Sequence, residues 1–202
     1  MGLIVWTLVL CVLMYEPVTE SCPSVCSCRR SASCDGTFVN CYDRGLTEVP
    51  TNIPIDTCSL WLNFNKITII QTNAFNGLSN VQFIDLERNK ITTIYDSAFA
   101  SLHNLTYLYI HNNNITVLDR DIFLGLSKLE TLTVENNPLH CGCISAEFVR
   151  FAKLRNLKLR LWSEPTCSTP SNLTGVLLRD LSSEDMDCDV TTATTTGTVI
   201  IF

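Results

Sequence analysis

No phosphate-cradling glycine loop and no nucleophile–base pairing can be read in the 202 residues. The usual grounds for a nucleotide-dependent or hydrolytic enzyme are therefore missing, and no cofactor is expected. Positive charge is scarce. Fourteen Lys and Arg stand against 20 Asp and Glu, giving a formal net charge of −6 and a pI near 5.0. That balance argues against nucleic acid as the general partner. No apolar run is long enough to cross a bilayer. Met1 to Tyr15 is uncharged and mostly apolar but too short to span as a helix, and Val199 to Phe202 is far shorter. A glycolipid-anchor signal would need a longer hydrophobic tail. No anchor is evident, and an extracellular location, secreted or at the cell surface, is expected. Residues 1–21 read as a secretory signal peptide, with Thr19-x-Ser21 as one plausible junction, although a basic residue near the start is lacking.

Cysteine, by contrast, is abundant. Cys11 would leave with the signal, and ten remain, an even number that suits an oxidised secreted domain. Six stand early, at Cys22, Cys26, Cys28, Cys34, Cys41 and Cys58. Four stand late, at Cys141, Cys143, Cys167 and Cys188. Cys-x-Cys pairs can ligate zinc, but export and the placement at both ends favour disulfides, so no metal is expected. Six cysteines allow about fifteen connectivities, and sequence alone does not choose among them.

Between the two groups one tract recurs four times. It begins Thr57-x-x-Leu60-x-Leu62-x-x-Asn65-x-Ile67 and continues Val81-x-x-Ile84-x-Leu86-x-x-Asn89-x-Ile91. Leu105-x-x-Leu108-x-Ile110-x-x-Asn113-x-Ile115 and Leu129-x-x-Leu132-x-Val134-x-x-Asn137-x-Leu139 follow. The four Asn are 24 residues apart, and Phe75, Phe99 and Phe123 keep the same step. Residues two apart fall on one face of a strand, so the apolar pair points inward and its neighbours point outward into solvent. Asn turns the chain, and its amide can bond backbone groups that the turn leaves unpaired. Phe fills the wider back half. One coil cannot bury its own apolar face, so the stack is the core and its open ends need caps.

The outward positions predict three columns on the inner sheet. They are Ser59, Phe83, Tyr107 and Thr131; Trp61, Asp85, Tyr109 and Thr133; and Asn63, Glu87, His111 and Glu135. Folding needs no large aromatics there, so Trp61, Phe83, Tyr107 and Tyr109 together mark a contact surface. The competing reading is that aromatics favour strands and pair across them. Asp85 and Glu87 could do acid–base work only if burial split their pKa values. An open sheet offers little burial, so solvated charges and no catalysis are expected. Arg150, Lys153, Arg155, Lys158 and Arg160 form a basic run, either a solvated face or an attraction to anionic surfaces. Asn104, Asn114 and Asn172 open N-glycosylation sequons. Ile144, Phe148, Phe151 and Ala152 have helical spacing, so a short helix should cover the last coil. Leu157, Leu159 and Leu161 alternate with Lys158 and Arg160 as in a strand.

The tract with its 24-residue period is identified as a leucine-rich repeat. The resemblance implies an α/β solenoid, a horseshoe with a parallel concave sheet. Cys22-Pro23-x-x-Cys26-x-Cys28 with Cys41 and Leu46-x-x-Val49-Pro50 resembles the N-terminal cap of extracellular members. Asn137-Pro138-Leu139-x-Cys141-x-Cys143 with Cys167 and Cys188 resembles the C-terminal cap. The implied bonds are Cys22–Cys28, Cys26–Cys41, Cys141–Cys167 and Cys143–Cys188. Cys34 and Cys58 depart from that cap, and as the two left over they are paired with each other. The expected layout is cap 22–56, repeats 57–137, cap 138–188 and a Thr-rich stalk 189–202.

The short array, both cap types and the stalk are most similar to a variable lymphocyte receptor. That resemblance implies a non-enzymatic immune receptor with its antigen on the concave face. The partner would be a protein or carbohydrate antigen, such as lipopolysaccharide on a bacterial surface. The alternative is a cell-adhesion or signalling ectodomain with a protein ligand.

Overall fold

The computed structural model describes residues 22–159 and 163–181. The expected signal 1–21, Arg160, Leu161, Cys188 and the tail 189–202 lie outside the described residues. Strands β1 (Ser27–Arg30) and β2 (Thr37–Asn40) form an antiparallel hairpin. Its turn holds Gly36 at φ +152°, where an added Cβ would lie 2.2 Å from the Asp56 carbonyl oxygen. Only glycine fits so close an approach.

Strand β2 pairs in parallel with β3 (Thr57–Trp61), and one such strand follows from each later repeat. These are β5 (Phe83–Asp85), β7 (Tyr107–Tyr109) and β8 (Thr131–Thr133), giving a six-stranded sheet in the order β1-β2-β3-β5-β7-β8. A second, two-stranded parallel sheet joins β4 (Ile69–Ile70) to β6 (Thr93–Ile94) in the back half of the coils. The fold is therefore the expected solenoid with a parallel sheet.

Register follows the repeat. Leu60, Ile84, Leu108 and Leu132 lie side by side and are fully buried. Behind them Phe75, Phe99 and Phe123 stack along the axis, with ring centroids 5.6 and 6.4 Å apart. The asparagines form a ladder. Asn89 donates from Nδ2 to Leu62 O of the coil before at 3.0 Å and to Leu86 O of its own coil at 3.1 Å. Its Oδ1 accepts from Ile67 N at 3.0 Å. Asn113 and Asn137 repeat the pattern. Each amide thus satisfies turn groups that burial has cut off from water.

Both ends are tied. Cys22 is bonded to Cys28, Cys26 to Cys41, Cys34 to Cys58 and Cys141 to Cys167. Cys143 is also in a disulfide. Helix α1 (Cys143–Leu154) closes the C-terminal end with Ser145, Phe148, Val149 and Ala152 inward. Its buried face differs from the expected one, because Ile144 is exposed. Positions 145, 148, 149 and 152 share one helical stripe, and Ile144 lies about 100° away from Ser145 around the axis. After α1, Lys158 pairs in parallel with Thr131. Leu157 and Leu159 pack against the core on either side of it, so the inner sheet gains a further rung.

Candidate functional site

Strand alternation sends the side chains between the buried leucines to the concave face, and the registers place them in the expected columns. Ser59, Phe83, Tyr107 and Thr131 are sideways neighbours, as are Trp61, Asp85, Tyr109 and Thr133. Phe83 meets Tyr109 edge-on at 5.0 Å and Tyr107 at 6.4 Å, while Trp61 is 38% and Tyr107 40% exposed. Phe83, Tyr107 and Tyr109 therefore form one cluster across β5 and β7, and Trp61 stands on β3 with Asp85 between it and Tyr109.

The expectation that the polar members stand in solvent is corrected. Ser59, Asn63, Asp85, His111, Thr131, Thr133 and Glu135 are all buried. Strands about 4.8 Å apart crowd their side chains, and short or flat groups sink between tall aromatic ones. Burial has electrostatic consequences. It pushes the Asp85 carboxyl up to about 6; the N–H of Glu87 opposes the rise and the Glu87 carboxylate adds to it. Burial also raises the Tyr109 hydroxyl, and the Asp85 carboxylate adds to that.

One row looks like catalytic machinery. His111 Nδ1 lies 2.7 Å from Thr133 Oγ1, and His111 Nε2 lies 3.1 Å from Glu87 Oε2. The order hydroxyl, imidazole, carboxylate matches a nucleophile with its base and orienting group. Thr133 has no exposed surface, however, so no substrate can reach its hydroxyl. The row instead fixes the relative positions of β5, β7 and β8. Among the described residues no group of three or more His, Cys, Asp and Glu is arranged to hold a metal.

The N-terminal edge adds residues that the repeat pattern did not reveal. Phe38 of β2 lies beside Ser59 and meets Trp61 edge-on at 5.1 Å, with the Arg29 guanidinium 4.7 Å over its ring. Tyr42 and Phe64 meet at 5.1 Å, and the Arg88 guanidinium sits 5.0 Å from Phe64. Phe64, Arg88, Asn112 and Asn136 share the left-handed backbone region, with φ between 51° and 58°. Asparagine suits that region; a bulky aromatic does not. The signal was available, since Phe64 stands where two later repeats carry Asn.

The described members of the basic run differ in their surroundings. Arg155 donates to the carbonyls of Leu126 and Ser127, both at 2.8 Å, and lies over Phe151. It is committed to holding the last coil. Arg150 and Lys153 are exposed on α1, and Lys158 is exposed at the end of the inner sheet. Of the sequon asparagines, Asn114 and Asn172 are exposed. Asn104 is half-buried, donates from Nδ2 to Ser79 O at 2.9 Å and accepts from Lys128 Nζ at 2.7 Å.

The family model described as "Leucine rich repeat" matches residues 58–115 and 103–160, together just over half of the chain. The chain belongs to the leucine-rich repeat family. Its bonded cysteine caps make it a leucine-rich-repeat protein of extracellular type. The insulin-like growth factor-binding protein complex acid labile subunit of Mus musculus is 38% identical over 66 residues, 33% of this chain and 11% of that protein. Leucine-rich repeat-containing protein 3 of Danio rerio is 38% identical over 85 residues, 42% of this chain and 31% of that protein. The same protein of Bos taurus is 43% identical over 68 residues, 34% of this chain and 26% of that protein. The matched stretches thus span less than a third of these curated relatives. The crystal structure of human 5T4 (Wnt-activated inhibitory factor 1, trophoblast glycoprotein) aligns with 84% of this leucine-rich-repeat chain and 100% of its own, at 18% identity and a TM-score of 0.39. No helix among the described residues is long and apolar enough to cross a membrane.

Proposed function

We propose that this leucine-rich-repeat chain is a non-enzymatic extracellular recognition protein that binds a protein ligand on its concave face, in a receptor or adhesion role. One observation carries the reading: Phe83, Tyr107 and Tyr109 cluster, with Trp61 part-exposed on the neighbouring strand β3, on a face that the core does not need. Tyr and Trp give large contact area at low entropic cost and dominate interface hot spots. Residues 1–21 would direct export, and 189–202 would serve as a stalk.

Immune recognition of antigens or microbial surface molecules, in the manner of a variable lymphocyte receptor, is the finer form of this reading. It rests on the cap and repeat motifs together with the paratope-like aromatic content. An anionic microbial surface such as lipopolysaccharide would engage Arg150, Lys153, Lys158 and Arg160, since Arg155 is otherwise occupied.

The test is a screen of the secreted protein against an array of extracellular domains and a panel of bacteria. Saturable binding to a protein ectodomain, lost in Trp61→Ala, is the expected result. Binding confined to bacteria would favour the immune form. Binding that Trp61→Ala leaves intact would remove the concave face from consideration.

A further inference from the structure

The concave face is not uniformly acidic in its chemistry. Glu87 is the partner of both Arg88 and His111, so its charge is balanced within the chain. Asp85 is different. It is 7% exposed, its Oδ1 accepts the N–H of Glu87 at 2.9 Å, and no Lys, Arg or His among the described residues pairs with it. Its Oδ2 receives no hydrogen bond from any described residue. The buried carboxyl therefore lacks a counter-charge.

The neighbours of Asp85 are aromatic. In register, Trp61 stands on one side and Tyr109 on the other. With strands about 4.8 Å apart, those two positions are roughly 10 Å from each other. A cation seated over Asp85 would then lie within about 6 Å of both rings, the reach of a cation–π contact. Phe83, edge-on to Tyr109 at 5.0 Å, braces that ring from its own strand. Asn63, two residues beyond Trp61, is buried with an Oδ1 that has no hydrogen-bond partner among the described residues.

We infer that Asp85, flanked by Trp61 and Tyr109, is the receptor for a single basic side chain, Lys or Arg, presented by the protein ligand. The inference rests on the concave face being the binding face. A cation there supplies the missing counter-charge, donates to Oδ2 and stacks against the flanking rings. The rest of the chain supports it, because the protein is acidic overall and basic ligands would be drawn toward it. The raised Asp85 pKa also fits, since it reflects burial without a compensating cation. Ligand binding should then release a proton near pH 6.

The test needs no knowledge of the ligand. N-acetyl-arginine amide is titrated into the secreted protein while the Trp61 indole N–H is followed by NMR, and N-acetyl-citrulline amide serves as its neutral twin. The expected result is a saturable shift with the arginine compound, at least tenfold weaker with the citrulline compound and abolished in Asp85→Asn. Equal response to both compounds, an unchanged response in Asp85→Asn, or no saturable shift would overturn the inference. The two proposals separate once an ectodomain partner is in hand. Loss of that partner in Trp61→Ala with full binding in Asp85→Asn removes the cation site and keeps the concave face. Full binding in both variants removes the concave face as well.

Discussion

The rings of Phe123 and Phe148 lie 5.6 Å apart. Phe123 belongs to the last full back half and Phe148 to helix α1, so the helix extends the aromatic stack that the coils build. An open solenoid end would expose that stack to water. Phe148→Ala is therefore expected to destabilise the protein by about 3–5 kcal/mol, the usual range for losing a buried Phe. Equilibrium denaturation of the two proteins checks it.

The left-handed backbone at Phe64 leads to an opposite expectation. Asn112 and Asn136 occupy the equivalent place with φ of 54° and 55°. Phe64→Asn should relieve strain of about 1 kcal/mol, offset in part by lost contact with Tyr42 and Arg88. A higher melting temperature is expected. If melting falls instead, the aromatic contacts outweigh the backbone, and Phe64 is held by packing alone.

Asp85 makes stability depend on pH. Its carboxyl has an ordinary value of 3.8 and is raised to about 6 in the folded protein. The folded state holds the proton more tightly, so ionising Asp85 costs stability as pH rises from about 4 to 6. The cost is absent below that window and complete above it, at most about 3 kcal/mol. Asp85→Asn should melt higher than wild type at pH 7.5 and about equally at pH 4. Melting curves at the two pH values decide the matter; a lower melting temperature for the variant at pH 7.5 would contradict it.

Much of the fold was legible because the repeat ties each residue to a place. The 24-residue step located Asn89 in its ladder and Phe99 in its stack, since both jobs recur in every coil. The ends were harder, because the step changes there. Val39 faces Leu60 from 21 positions away, and Lys158 faces Thr131 from 27. Extrapolating the period would have misplaced Phe38 and Lys158, and with them the outer rungs of the inner sheet. Alternation also identified which face Asp85 and His111 occupy but not how deeply they sit. Depth depends on the height of the neighbours in adjacent strands, here Trp61, Tyr107 and Tyr109, and a pattern of apolar and polar letters does not carry that.

The claim on which the account turns is that the exposed aromatics of the inner sheet form the ligand contact. It is tested most directly by measuring the affinity of wild type, Trp61→Ala and Tyr107→Ala for the ectodomain partner that the screen yields. Leu124→Ala, an exposed position in the back half of its coil, serves as the control. Both concave variants should keep the wild-type melting temperature and lose about 30-fold or more in affinity, the equivalent of roughly 2 kcal/mol. The control should bind like wild type. Wild-type affinity in both concave variants, with loss in Leu124→Ala, would contradict the account and move the site to the back of the coils.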